Sequence, residues 1–104
     1  MILHKEYKQV GDQEIKFTIS FNRDSHNWAT SQPKKIGYQV TATPVKRTQR
    51  DGYMIEESGA FTGFNDNLLE VDRQSSKRLA QAKLLLSQRM DKYLMYFEKQ
   101  MEIA

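Results

Sequence analysis

Few side chains in this 104-residue chain are of a kind that does covalent chemistry, and their spacing speaks against most reaction classes. His4 lies in the first strand-like run and His26 in a polar segment; nothing fixes a serine or carboxylate beside either at general-base distance. Asp24-Ser25-His26 contains the residue types of a hydrolytic triad, but adjacent positions of one loop cannot easily form the Ser to His to Asp relay, which depends on spatial geometry. Glu56 and Glu57 point to opposite faces of a strand and so are not a general acid/base pair. With no cysteine there is no thiolate nucleophile, disulfide framework or Cys-based zinc site. No phosphate-cradling glycine motif or calcium loop occurs either. The expectation is a non-catalytic protein without metal or cofactor.

Binding chemistry is better represented. Lys34, Lys35, Lys46, Arg47 and Arg50 are interleaved with the aromatics Trp28, Tyr38 and Tyr53, and the sequence pI is near 9.2. Cations that neutralise phosphates, with aromatics that stack bases, hold single strands with little sequence preference. Trp28 sits in a polar stretch and is the stacking candidate, whereas Tyr38 shares a face with Val40 and reads as core.

The net charge of +3 conceals blocks. Residues 31 to 50 carry those five cations and no acid, and residues 51 to 72 carry Asp51, Glu56, Glu57, Asp66, Glu70 and Asp72 and no base. Residues 73 to 90 are again basic through Arg73, Lys77, Arg78, Lys83 and Arg89. Such blocks form a surface for a polyanion or cancel one another in the fold. Asp51-Gly52 favours cancellation, because Asp-Gly suits a two-residue type I′ hairpin in which both positions need positive φ. That loop places Arg47 opposite Glu56 and Lys46 opposite Glu57.

The elements that position these residues read as four strands and a helix. Ile15, Phe17, Ile19 and Phe21 alternate with polar residues, the period of a half-buried antiparallel strand. A weaker strand over 2–10 precedes it through Gly11-Asp12, where glycine suits the first position of a type II′ turn. After a polar loop over 22–34, a third strand over 35–47 puts Ile36, Tyr38, Val40 and Ala42 on one face, with Pro44 marking an edge or bulge. A fourth over 53–64 is interrupted by Gly59 and Gly63. From 72 to 102 there is no Gly or Pro, so one long helix follows, with Asp72 or Ser75 as its N-cap. The fold class is α+β: a four-stranded antiparallel sheet followed by a C-terminal helix packed on one face, in a single domain over 1–104.

On a helical projection Leu79, Ala82, Leu86, Met90, Tyr93, Phe97 and Met101 form one band, widened by Leu85, Tyr96 and Ile103. A helix of about 30 residues is roughly 45 Å long, against a diameter of roughly 33 Å for a compact domain of this size. An overhanging apolar end is expected. Leu84 and Met95, eleven residues apart on the far side, add a second apolar feature. Together they point to a homodimer through Leu84, Met95, Tyr96, Phe97 and Met101.

Four strands followed by a long helix is an order that resembles the architecture of the single-stranded-DNA-binding transcriptional coactivators and the plant Whirly proteins. The resemblance is one of element order and implies a nucleic-acid-binding sheet; the acidic block over 51–72 departs from a uniformly basic one. Two partner classes therefore stand: another protein, a second copy first, or single-stranded nucleic acid. The absence of cysteine, of a signal-peptide stretch and of any apolar run of about 18 residues leads to the expectation of a cytoplasmic protein without a membrane partner.

Overall fold

The structure, a computed structural model, describes residues 1–22, 36–59 and 62–103. Among these, β1 (Ile2–Val10), β2 (Gln13–Asn22), β3 (Gly37–Arg50), β4 (Tyr53–Ser58) and β5 (Phe64–Glu70) form one antiparallel sheet, followed by α1 (Ser76–Ile103). The sheet order is β1-β2-β3-β4, and β5 also pairs with β3. The α+β class with a long C-terminal helix on an antiparallel sheet is as expected.

Local turn chemistry sets the register. Gly11 takes φ +60° and closes a two-residue loop that pairs Val10 with Gln13. Asp51 and Gly52 both take positive φ, at 54° and 82°, and the resulting hairpin pairs Arg47 with Glu56 and Lys46 with Glu57. The Asp51-Gly52 hairpin thus has the loop length expected of it, while the loop length at Gly11-Asp12, left open by the sequence, is two residues.

The fourth strand differs from expectation. It breaks after Ser58 and resumes as β5, so the same edge of β3 is occupied twice, by β4 along 45–50 and by β5 along 37–42. Pro44 lies opposite this break. Its carbonyl accepts a hydrogen bond from the Gly59 N–H at 2.8 Å, so the side on which proline lacks an N–H faces a gap between strands. Proline is thereby tolerated inside a central strand.

One face of the sheet carries Ile15, Phe17, Ile19, Tyr38, Val40 and Ala42, all buried against Ala82, Leu86, Tyr93 and Phe97 of the helix. This is the inner face. The helix starts at Ser76, not Asp72, because its N-cap is tied to the core. The Ser75 hydroxyl accepts from the Arg78 N–H at 3.1 Å, while the buried Tyr38 hydroxyl donates to the Ser75 carbonyl and accepts from the Ser75 N–H. At the other end, Met101 packs on Gly11, where a Cβ would collide with the methionine methyl.

The overhanging helix end is corrected by these contacts. The 28-residue helix is about 42 Å long, and the molecule's longest extent is 40 Å. Long strands let the sheet cover the helix from Leu79 to Met101. What projects instead is the β3–β4 hairpin beyond Val45, where Lys46 to Met54 are all exposed.

Candidate functional site

The residues named from sequence as binding candidates separate in the fold. Trp28, Lys34 and Lys35 lie outside the described residues, as does His26. Lys46, Arg47 and Arg50 are all on the projecting hairpin, but strand alternation sets Lys46 and Arg50 on its inner face and Arg47 on its outer face. Tyr38 is buried, and Tyr53 is 75% exposed near the hairpin tip.

Arg47 belongs to a clasp of five side chains on the outer face. Its guanidinium donates to both carboxylate oxygens of Glu14 on β2, from Nε and, at 2.7 Å, from Nη2. The same group stands 3.9 Å from the ring centre of Tyr7 on β1. The Tyr7 hydroxyl donates to Glu56 of β4 at 2.8 Å, and Lys16 Nζ donates to the other Glu56 oxygen at 2.7 Å. Arg47 and Glu56 face each other across the hairpin as expected, yet each sends its charged group to a residue of β2.

The titration behaviour follows from these contacts. Hydrogen bonding from Arg47 lowers the Glu14 carboxyl, and hydrogen bonding from Lys16 and then Tyr7 lowers Glu56. Lys16 and Arg47 are held more firmly protonated by those carboxylates. Donation to Glu56 raises the Tyr7 phenol. Two cations and two carboxylates sum to zero. The clasp ties the root of the hairpin to β1 and β2 and pairs Arg47, on the surface, with the protein's own carboxylate and ring.

A second polar cluster joins helix to sheet. Tyr93 donates to Asp66 at 2.6 Å, and Arg89 donates to the Asn67 carbonyl at 2.8 Å while standing 3.7 Å from Asp66. Burial raises the Tyr93 phenol, with the Asp66 bond adding to it. No sequence pattern separated Asp66 from the rest of the acidic block. His4 stands 3.8 Å from Glu6 and, among the described residues, lines a shallow hollow with Ile2, Leu3 and Lys5. Among the described residues no group of three His, Asp or Glu is placed to hold a metal ion, and no helix is long and apolar enough to cross a membrane.

The dimer candidates divide likewise. Leu84, Met95 and Tyr96 are exposed, at 59%, 51% and 40%. Phe97 is corrected to a core residue: it has no exposed surface and stacks on Phe64 at 5.6 Å between ring centres. Met101 is half-buried against Gly11 and the core. Both belong to the helix band that 3.6-residue periodicity defines, and the sheet covers that band to Met101.

A cleft of about 640 Å³ lies between the β1–β2 turn and the hairpin, lined by groups including Asp12, Gln13, Glu14, Lys46, Arg47 and Met54. Its charges are mixed in sign. No family model, curated protein or solved structure matches the chain.

Proposed function

We propose that the protein is a non-catalytic assembly module that acts as a homodimer in the cytoplasm. One observation carries this reading: on the projecting hairpin the basic and acidic residues are equal in number, while its large apolar side chains stand in water. Lys46, Arg47 and Arg50 are matched by Asp51, Glu56 and Glu57, whereas Tyr53 and Met54 are 75% and 61% exposed. A polyanion would be attracted by unmatched cations, whereas a protein surface gains by covering aromatic and thioether groups. The absence of cysteine suits a reducing compartment.

Light scattering at about 100 μM, paired with a low-salt gel shift on single-stranded oligonucleotides, tests the reading. The expected result is a particle of twice the 12.2 kDa chain mass and no shifted band. A monomer that retards the oligonucleotide, and loses this with Trp28→Ala, would replace assembly by nucleic-acid binding.

A further inference from the structure

Strand β3 runs on after β2 has ended. Its pairing with β2 stops at Val45 opposite Glu14, whereas its pairing with β4 continues to Arg50 opposite Tyr53. Among the described residues, no strand lies beside the β2 edge of Lys46 to Arg50. The start of this open edge walls the cleft of about 640 Å³, and Asp12 and Gln13 of the β1–β2 turn lie at the cleft's other end. The direction of each backbone group follows from the hairpin. In a two-residue loop the flanking pair, Arg50 and Tyr53, exchanges both hydrogen bonds, so Thr48 and Lys46 also turn to β4 while Arg47 and Gln49 turn N–H and C=O to the open side. The neighbouring residues keep the same phase. The Val45 carbonyl accepts from the Gln13 side chain at 2.9 Å on the β2 side, and the Pro44 carbonyl accepts from the Gly59 N–H on the other.

We infer that this notch takes an extended, acidic peptide segment of a partner protein, added as a strand in line with β2. Two N–H and two C=O groups at strand spacing are matched group for group by an extended backbone. Charge selects an acidic one. Lys46 and Arg50 stand on one face of β3, four residues apart, and neither has an ion pair among the described residues, although Glu57 lies opposite Lys46. Arg47, on the other face, is already held by Glu14. A guest strand with carboxylates at i and i+4 sets one beside Lys46 and the other beside Arg50. The remaining edges offer less to such a guest: β4 carries Glu56 and Glu57 and would repel it, and β1 mixes Lys5 and Lys8 with Glu6. The inference holds for one copy of the chain or two and so goes beyond the homodimer reading.

Calorimetric titration and amide exchange on the full chain test this with a blocked heptapeptide of threonine and valine that carries two glutamates four positions apart. A Kd below about 1 mM is expected, with exchange at the Arg47 and Gln49 amides slowed at least about tenfold at saturation. Replacing the glutamates by lysines, or N-methylating the peptide amides that face β3, is expected to weaken binding at least about tenfold. Gln49→Pro removes a donor that the β3–β4 ladder does not use, so it should keep the far-ultraviolet spectrum and lose the peptide. Lys46→Glu with Arg50→Glu should reverse the preference toward the lysine peptide. No binding at about 1 mM would overturn the inference, as would equal binding of the N-methylated peptide, which needs no backbone pairing. Protection of the same two amides that grows with protein concentration alone would give the notch to a second copy and overturn the acidic partner.

Discussion

Phe97 separates the packing described above from the interface role that helix length had given it. Its side chain has no exposed surface, and its ring lies 5.6 Å from that of Phe64 and 5.1 Å from that of Tyr96. Phe97→Ala removes a buried ring and leaves a cavity beneath the sheet, a change that costs about 3 to 5 kcal/mol. Domains of this size have a total stability of roughly 5 to 15 kcal/mol. The loss is therefore a large part of the whole and lowers the unfolding midpoint by at least about 12 °C, at a minimum of about 4 °C per kcal/mol. Circular dichroism melts at one fixed concentration read the midpoint, and light scattering on the same samples reads the mass. A melting loss with unchanged mass at low temperature is expected. A shift under about 4 °C accompanied by dissociation would refute the reasoning, because it would make Phe97 an interface residue.

Other perturbations follow from the same geometry. Gly37 takes φ +150°, and a Cβ there would overlap the Leu69 carbonyl oxygen, so Gly37→Ala should destabilise the β3–β5 pairing, seen as faster amide exchange along β5; unchanged exchange would contradict it. The Glu14 and Glu56 carboxyls are lowered in the fold, so their contribution is present above the ordinary carboxylate range and disappears as pH falls through their folded values. Melting midpoints between about pH 3 and pH 7 should therefore fall less steeply in a Glu14→Gln, Glu56→Gln double variant, and parallel curves would refute a role for the clasp. Ser75→Ala removes the helix cap and should cost about 1 kcal/mol in denaturant unfolding, against no measurable loss if Asp72 were the cap.

The legible parts of the fold were those decided by local chemistry. Asp51-Gly52 dictates a two-residue loop through backbone φ, and loop length then sets which residues face each other, whereas Gly11-Asp12 marks a turn without fixing its length. The helix band from Leu79 to Met101 follows from 3.6-residue periodicity. Features that depend on two distant segments were hidden. Choosing Ser75 over Asp72 as the cap is the work of the Tyr38 hydroxyl, 37 residues away. Strand β5 was obscured because Asp66 faces inward to Tyr93 while Asn65 and Asn67 hydrogen-bond outward to Thr41 and Gln39, which leaves no clean alternation. The extent of β3 to Arg50 was masked by the polar run Lys46 to Arg50.

The clasp illustrates the same division for the candidate site. Cross-strand neighbours could be read from the Asp-Gly turn, and they are as expected. The diagonal choice of Arg47 for Glu14, with its guanidinium over Tyr7, depends on three strands converging and has no signature within any one of them. That choice changes the functional weight of the basic block, since one of the five cations named for a phosphate backbone is held by a carboxylate and an aromatic ring.

Sedimentation equilibrium of the unmodified chain over roughly 1 to 100 μM tests the central claim most directly. The account predicts a reversible monomer–dimer equilibrium approaching twice 12.2 kDa at the upper end. A mass that stays at 12.2 kDa across the whole range would contradict it.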